Sequence, residues 1–301
     1  MDKNEFEVII IGGSYAGLSA ALTLGRSLRK TLVIDGGEPC NRQTPHSHNF
    51  LTQDGSTPSQ ISHVAKSQVA KYDSVKFYEG LAIDGMRISE GFEITTSNGD
   101  VFTTKKLVLA TGIKDIMPDI KGFSECWGIS VVHCPYCHGY EIRNKKTAII
   151  ANGDRAYHLV SLVNNLSKDI TLLTSGIKEF EENQFEKLQR HKIHIIEKKI
   201  VAIEHSNGQV ERVVFKDGSV ENYECVYASI PFEQNSALPK KLGCKLTEHG
   251  HIEVNLMQKT SEEGIFSCGD NSSMMRSVAT AVYGGTITGA MINNELTQEY
   301  F

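Results

Sequence analysis

A glycine-rich turn between an apolar strand and a helix is the feature that most limits the folds open to this chain. Residues Phe6 to Ile11 form a continuous apolar run, and leucines and alanines recur at helical spacing after the turn. The turn reads Gly12-Gly13-Ser14-Tyr15-Ala16-Gly17. A second strand, Thr31 to Ile34, ends at Asp35, about twenty residues beyond the turn, where a dinucleotide-binding fold places the acid that holds a ribose hydroxyl. The pattern therefore predicts a βαβ unit.

The glycine fingerprint of this turn is incomplete at one position. Gly12 and Gly17 fill the first and third glycine positions, but Ser14 stands at the second, where the backbone approaches a pyrophosphate. A serine is small enough to be accommodated there at some cost. The alternative, a glycine-containing turn that holds no ligand, stays open because a motif match alone is weak evidence.

The βαβ pattern recurs in the middle of the chain, with a damaged turn. Lys146 to Ile150 and Asp169 to Leu173 read as strands that flank a helix from Tyr157 to Leu166. Ala151 replaces the first glycine of the intervening turn. The segment Thr174-Ser175-Gly176 after the second strand offers neither an acid for an NAD ribose nor an arginine for a 2′-phosphate. The sequence predicts a second dinucleotide-type fold in which NADPH binding is doubtful.

Length and charge narrow the classes of function. A chain of 301 residues suits two domains, and we place a boundary near residues 112 to 122 because Pro118 to Gly122 reads as a linker. The formal net charge of -5 and the lack of a basic run argue against nucleic acid and against an anionic membrane surface. No apolar run is long enough to span a membrane and no signal peptide is recognised, so we expect a cytoplasmic protein.

Cys134 and Cys137 are the candidate redox centre. Two cysteines separated by two residues, at the start of a predicted helix, can close into a reducible disulfide, and a helix N-terminus lowers the pKa of a thiol. Three alternatives stay open: half of a zinc site, a c-type haem attachment motif ending at His138, and two unreactive buried thiols. The other five cysteines are scattered singly, which weakens the zinc interpretation. A redox pair is therefore favoured.

Four ordered features give the chain a resemblance, over essentially its whole length, to the thioredoxin reductase-like flavin disulfide oxidoreductases. They are the first glycine turn with Asp35, the strand end Ala110-Thr111-Gly112, the cysteine pair, and Gly264 to Asp270 before the last helix. The resemblance implies an α/β protein with two dinucleotide-binding, Rossmann-like, three-layer domains. A discontinuous FAD-binding domain would comprise residues 1–115 and 246–301. An inserted NAD(P)-binding-like domain, residues 116–245, would carry the cysteine pair. The family is usually homodimeric.

The same resemblance implies FAD as the cofactor and indicates which residues hold it. The pyrophosphate would lie at the first turn, the adenosine ribose on Asp35, and the ribityl chain and phosphate near Asp270. The segment Arg276-Ser277-Val278 would lie at the flavin ring. The implied FAD contacts are Gly12, Gly13, Ser14, Ala16, Gly17, Asp35, Thr111, Gly112, Gly269, Asp270, Ser277 and Val278. His46 and His48, in a polar loop, are weaker candidates for flavin-side contacts.

His138 distinguishes this chain from ordinary thioredoxin reductases, which carry an aspartate after the second cysteine. The Cys-x-x-Cys-His form looks more like the dithiol oxidases that close disulfides in gliotoxin-like, holomycin-like and romidepsin-like natural products. By this analogy Cys134 exchanges with a small dithiol substrate and Cys137 faces the flavin. We expect His138 to be the acid and base for the thiol protons, with a merely structural role as the alternative.

Two other functions stay open on the sequence. One is a reductase that takes electrons from NADPH, or from a protein such as ferredoxin, and delivers them to thioredoxin. The other is a flavin-bound redox sensor, in which the cysteine pair reports the thiol state to a partner. No metal site is predicted.

Overall fold

The computed structural model describes residues 4–301, and their contacts form two compact units. The first unit comprises the chain up to Arg42, Pro58–Lys114 and Phe232–Phe301, and the second comprises Gln43–Thr57 and Asp115–Pro231. The helices and strands between residues 5 and 115 are, in chain order, β1 (Glu5–Ile11), α1 (Tyr15–Arg26), β2 (Thr31–Asp35), α2 (Pro58–Val69), β3 (Val75–Glu79), β4 (Ala82–Ile88), β5 (Gly91–Thr96), β6 (Val101–Leu109) and β7 (Ile113–Asp115). The predicted first βαβ unit is thus confirmed.

The second unit is built around a parallel sheet. Its remaining elements are α3 (Phe123–Cys126), β8 (Val131–Val132), α4 (Pro135–His138), β9 (Thr147–Ile150), α5 (Gly153–Val163), β10 (Ile170–Leu173), α6 (Glu182–Arg190), β11 (His194–Ile196), β12 (Ile200–Ser206), β13 (Gln209–Phe215), β14 (Val220–Asn222) and β15 (Cys225–Ala228). The sheet order is β11-β10-β9-β15-β8, with every pair parallel. Strands β12, β13 and β14 form a separate antiparallel sheet. The second βαβ pattern is therefore also confirmed.

The chain then returns to the first unit through β16 (Phe232–Gln234), α7 (Leu238–Lys241), β17 (Ile265–Ser267) and α8 (Val278–Tyr300). The return begins at residue 232, not at 246 as predicted. Leu238 and Cys244 explain the difference, because both are buried in the same core as Phe92 and Ile94 of β5. Residues 43–57 also differ from the predicted boundaries, because they group with the second unit.

The first unit's sheet has the order β3-β2-β1-β6-β5-β4, and β17 also pairs with β6. Strands β1, β2, β3, β6 and β17 are parallel neighbours, whereas β4, β5 and β6 are antiparallel. The antiparallel strands β5 and β6 are connected at Asn98-Gly99, and an Asn-Gly pair is typical of hairpin turns. Because parallel strands bring their carboxyl ends to one edge, the ends of β1, β2, β6 and β17 lie at the same edge of this sheet.

Helices α1 and α8 pack on each other and share a core with the strands β1 and β2. Gly285 makes this approach possible, because a Cβ on it would lie 2.1 Å from the carbonyl oxygen of Ala16. Within residues 4–301, no helix has the length and apolar character needed to cross a membrane.

Candidate functional site

Cys134 and Cys137 form a disulfide at the carboxyl end of β8, with 5.3 Å between their Cα atoms. Cys134 is the N-cap of α4, and its Sγ accepts a hydrogen bond of 3.1 Å from the backbone N–H of Cys137. Pro135 occupies the first helical position, where its missing N–H costs nothing. The predicted pair is therefore brought together on a helix of only four residues.

Gly139 ends this short helix and leaves no room for a larger residue. A Cβ on Gly139 would lie 2.3 Å from the carbonyl oxygen of Pro135 and 2.4 Å from Cδ1 of Leu166. The side chain of Leu166 can move, but the carbonyl belongs to the turn that carries the cysteines. Glycine at this position thus keeps the disulfide turn tight.

Trp127 supports the residue that precedes the disulfide. Its indole stacks between the rings of Phe123 and His133, at centroid distances of 5.7 and 5.8 Å. The indole Nε1–H donates to Oδ2 of Asp115 at 3.1 Å, which fixes the ring plane. The role of Trp127 was not predicted from the sequence. The available signal was that the single tryptophan of the chain lies only seven residues before Cys134.

His138 lies on α4 beside the disulfide, and its backbone N–H donates to the carbonyl oxygen of Cys134 at 3.2 Å. Burial lowers the pKa of its imidazole, and the nearby imidazole of His48 lowers it further, whereas Glu141 acts in the opposite direction. The net shift is downward, so the ring of His138 is neutral at neutral pH. A neutral imidazole can take a proton from a thiol.

His48 lies with the second unit and contacts two carboxylates. Its Nε2 is 3.6 Å from Oε1 of Glu141, and its Nδ1 is 3.7 Å from Oδ1 of Asp54. His46, in the same loop, is exposed and directs Nδ1 toward the carbonyl oxygen of Gly55 at 3.0 Å. The sequence offered both histidines only as weaker candidates for flavin-side contacts, and it did not connect His48 to Glu141.

Four of the five remaining cysteines are buried thiols, whereas Cys40 is exposed. Burial raises the pKa of the thiols of Cys126, to about 11, and of Cys225 and Cys244. Cys268 is fully buried, and its thiol pKa is raised to about 12. No group of three histidine, cysteine or acidic residues within residues 4–301 is placed to hold a metal ion.

The first glycine turn fits a pyrophosphate. A Cβ on Gly12 would lie 2.2 Å from the carbonyl oxygen of Ala110, and one on Gly17 would lie 1.8 Å from the carbonyl oxygen of Gly12. The turn therefore brings backbone close to the end of β6. Ser14 is the N-cap of α1 but uses no side-chain capping bond, and the first turn of α1 has no acidic residue. The backbone N–H groups at the start of α1 can thus bind a phosphate.

Asp35 lies beside this turn, where a ribose would need it. The backbone N–H of Gly13 donates to Oδ1 of Asp35 at 3.1 Å, and a Cβ on Gly13 would lie 2.7 Å from the Asp35 Cγ. The carboxylate at the end of β2 is thus held against the turn. Asp35 was predicted from its spacing after the turn and Gly13 from the family resemblance, and the structure brings the two together.

The ends of β6 and β17 place the other predicted FAD residues in the same unit. Gly269 has a φ of 94°, and a Cβ on it would lie 3.0 Å from the Cβ of Ala16 on α1. Gly112 also has a positive φ, 65°, so both turns require glycine. Asp270 Oδ2 lies 3.7 Å from the Arg276 Nε. The fold thus brings together Ala16 and Gly269, two predicted FAD contacts that are far apart in sequence.

Asn271 is a buried residue that sequence reasoning missed. Its Nδ2 donates to the carbonyl oxygen of Leu109 at 2.9 Å and to Oγ1 of Thr111 at 3.2 Å, which positions Thr111. Gln234 donates from Nε2 to the carbonyl oxygen of Asn271 at 2.9 Å. The side-chain oxygens of Asn271 and Gln234 are buried and have no donor among residues 4–301. Proximity to Asp270 was the available signal for Asn271.

Ser277 and Val278 lie at the start of α8. Ser277 is the N-cap, and its Oγ accepts from the backbone N–H of Thr280 at 3.1 Å. The helix therefore begins at Val278, because this cap fixes the first turn.

Comparisons with known proteins agree with this architecture. Thioredoxin reductase tcpT of Claviceps purpurea (strain 20.1) is 33% identical over 313 residues, which cover 98% of this chain and 95% of the relative. Thioredoxin reductase sirT of Leptosphaeria maculans is 28% identical over 96% of this chain and 93% of its own length. The crystal structure of an oxidoreductase from Agrobacterium tumefaciens superposes with a TM-score of 0.90 at 36% identity, over 97% of this chain and 99% of that one.

A protein-family model also matches most of the chain. Residues 6–285, which include both glycine turns, the cysteine pair and Asp270, match the model described as pyridine nucleotide-disulphide oxidoreductase. The chain therefore belongs to the pyridine nucleotide-disulphide oxidoreductase family.

Proposed function

We propose that this disulfide oxidoreductase oxidises small dithiols through the Cys134–Cys137 disulfide and passes their electrons to FAD. The observation that carries the proposal is the disulfide with a neutral imidazole next to it: His138 follows Cys137 directly, and burial keeps its pKa low. A dithiol can reduce the disulfide only after its thiols lose their protons. His138 is the group placed to take them.

Thiol–disulfide exchange moves two electrons from the substrate dithiol to the cysteine pair. One substrate thiol gives its proton to His138, and the resulting thiolate attacks Sγ of Cys134, so that a mixed disulfide forms and Cys137 leaves as a thiolate. The second substrate thiol loses its proton, attacks the substrate sulfur of the mixed disulfide, and Cys134 leaves as a thiolate. The substrate is then a disulfide, the cysteine pair holds two more electrons, and two protons have been released. FAD, when bound, supplies the acceptor for this electron pair.

The first unit provides the residues that would hold FAD. The N–H groups at the start of α1, with Gly12, Gly13, Ser14, Ala16 and Gly17, would bind the pyrophosphate, and Asp35 the adenosine ribose. Thr111, Gly112, Gly269 and Asp270 line the ends of β6 and β17, and Ser277 and Val278 begin α8. The buried oxygens of Asn271 and Gln234, which lack donors, support a ligand at this edge.

The second unit does not fit NADPH. At the start of α5, Oδ1 of Asn152 accepts from the N–H groups of Gly153 at 2.9 Å and Glu179 at 3.0 Å, so the chain's own side chain occupies the place of a phosphate. Asp154, in the first turn of α5, accepts from Gln184 at 2.8 Å and adds a negative charge. No step therefore runs through NADPH.

Exposed aromatic side chains support a small substrate with apolar surface. Tyr136 lies between the two cysteines and is 63% exposed, and Tyr140 is 68% exposed. The guanidinium of Arg143 lies 3.9 Å from the centre of the Tyr140 ring, which holds that ring in place. Apolar rings of this kind favour contact with a ring or an aliphatic group.

A reductase is the second candidate, because the relatives tcpT and sirT carry the name thioredoxin reductase. Anaerobic stopped-flow mixing of the flavin-loaded protein separates the two functions. We expect dithiothreitol to bleach the flavin and micromolar NADPH to leave it oxidised. Rapid bleaching by NADPH would exclude the dithiol oxidase.

Substitution of Cys137, the cysteine expected to face the flavin, tests the route of the electrons. Cys137→Ser should abolish flavin reduction by dithiothreitol, because the disulfide that accepts the electrons can no longer form. Cys244→Ser is the matched control, since Cys244 is buried in the first unit's core and contacts Thr260. If Cys137→Ser is reduced at the parent rate, the proposed route is wrong.

A further inference from the structure

The loop of residues 43–57 holds His48 in a fixed position within the second unit. The loop closes on itself through the hydrogen bonds Ser47 N–H to Ser56 O, 2.8 Å, and Gly55 N–H to Ser47 O, 2.9 Å. Oδ1 of Asp54 accepts from the N–H of Asn49 at 2.7 Å and faces Nδ1 of His48. The side chain of His48 is only 19% exposed. This is an ordered setting for a loop residue.

Glu141 connects this loop to the disulfide turn. The N–H of Ile142 donates to the carbonyl oxygen of His138 at 3.3 Å, so the helical turn continues past α4. Residues three apart on such a turn lie on the same side, which places Glu141 next to His138. On its other side, Oε1 of Glu141 faces Nε2 of His48 at 3.6 Å.

The polar groups around the pair formed by His48 and Glu141 come from three parts of the second unit. His48, Asp54 and His46 come from the loop, with ring centres of the two histidines 6.4 Å apart. Glu141 follows α4. From β15, the buried hydroxyl of Tyr227, on a strand whose residue 227 pairs with Val132, has no hydrogen-bond partner among residues 4–301. Among the charged groups of residues 4–301, His48 lowers the pKa of His138 and Glu141 raises it.

We propose that His48 and Glu141 are positioning residues that together set the pH at which His138 takes a proton from the substrate thiol. The inference rests on the proposed function, because it assigns a role to residues that do not touch the sulfur atoms. His48, when protonated, repels a second proton on His138, whereas the carboxylate of Glu141 attracts one. The loop thereby keeps His138 available as a base at a lower pH than Glu141 alone would allow.

The test is the protonation of His138 measured directly. The imidazole resonances of the oxidised protein are followed by NMR through a pH titration, and His138→Gln assigns the signal of His138. In His48→Gln the midpoint should move to higher pH, because the electrostatic effect by which His48 lowers the pKa of His138 is lost. In Glu141→Gln it should move to lower pH, because an anion is lost. His46→Gln is the matched loop control and should leave the midpoint unchanged.

The acid limb of flavin reduction by dithiothreitol should move in the same two directions. A purely structural role would lower activity or thermal stability in both variants without opposite shifts. Unchanged midpoints, or shifts of the same sign, would overturn the inference. Failure of the proposed function looks different: the parent flavin would not be reduced by dithiothreitol, while the NMR midpoints would still report on His48 and Glu141.

Discussion

Lys106 is a buried lysine of β6 whose ammonium group is neutralised by two carboxylates of α8. Its Nζ lies 2.9 Å from Oε2 of Glu295 and 2.5 Å from Oε1 of Glu299, and its side chain is only 10% exposed. Lys259 forms a second ion pair with Glu295. Burial raises the pKa of Glu295, but hydrogen bonds from Lys259 and Lys106 lower it more, so the net shift is downward. Strand and helix are thus joined by an ion pair, Lys106 to Glu295, whose side chains are largely shielded from water.

Glu295→Gln should reduce the free energy of unfolding by about 1–3 kcal/mol near neutral pH, because Lys106 keeps its burial and loses a partner. A carboxylate with a lowered pKa in the fold stabilises the protein above its unfolded pKa of about 4.3, and this contribution disappears as the pH falls. The difference between parent and variant should therefore shrink on acidification. Thermal midpoints measured from neutral to acid pH check this.

Glu186→Gln is the control for that prediction, because its pair with Arg190 is exposed on α6. An exposed pair of this kind contributes roughly 0.5 kcal/mol or less. A constant difference between Glu295→Gln and the parent at every pH would contradict the assigned role of the carboxylate.

At the scale of residues, the sequence predicts what depends on local spacing. Cys134, Cys137 and His138 are neighbours in the chain, and the glycines at 12 and 17 are fixed by one turn, so their placement needed no knowledge of the tertiary fold. His48 and Glu141 are far apart in sequence, and no periodicity connects a loop to a helix end. Asn271 was missed for the same reason, since its partners Leu109 and Thr111 lie 162 and 160 residues earlier in the chain.

At the scale of elements, α8 contains glycines, which disfavour a helix, and one of them allows close packing against α1. Alanine stabilises a helix interior by about 1 kcal/mol relative to glycine. A Cβ on Gly284 would meet Cys268 Cβ at 3.4 Å, an ordinary contact, whereas a Cβ on Gly285 would lie 2.1 Å from the backbone oxygen of Ala16. The two adjacent glycines of one helix therefore have different roles.

Gly285→Ala should lower the thermal midpoint, because α8 must move away from α1, and overpacking of this kind costs about 1–3 kcal/mol. Gly284→Ala is the matched control and should be neutral or slightly stabilising, as helix propensity alone predicts. Differential scanning fluorimetry of the two variants and the parent gives the comparison. Equal midpoints for both variants would show that α8 can shift at no cost.

Elements were predicted well where apolar periodicity is strong, as in β1, α1 and β2. Boundaries were less accurate where capping decides them. The helix expected from Tyr157 begins at Gly153, because Asn152 caps it. The last helix begins after the Ser277 cap. These side-chain bonds are formed by single polar residues, which leave no periodic signal.

At the scale of the whole molecule, the chain divides the chemistry between its two units. The residues that fit FAD come from three segments of the first unit, and the redox disulfide lies in the second. Resemblance predicted this division, but not the return at residue 232, because Leu238 and Cys244 enter the first core from a stretch with no clear pattern.

FAD should stabilise the apoprotein, and NADPH should not. A ligand at one hundred times its dissociation constant adds about 2.7 kcal/mol to the stability of the state that binds it. We expect FAD to raise the thermal midpoint and NADPH to leave it unchanged, because Asn152 already occupies the start of α5. A rise with NADPH alone would contradict the assignment of the second unit.

The loop of residues 43–57 has a practical consequence for anyone who exchanges the middle domain between relatives. Its two ends continue into the first unit, yet its own contacts are with the second. A chimera that transplants only residues 115–231 takes Glu141 from the donor and leaves the recipient to supply position 48. Such a graft would separate Glu141 from the His48 that it contacts in its own chain. An exchange of the second unit must therefore transfer residues 43–57 together with residues 115–231.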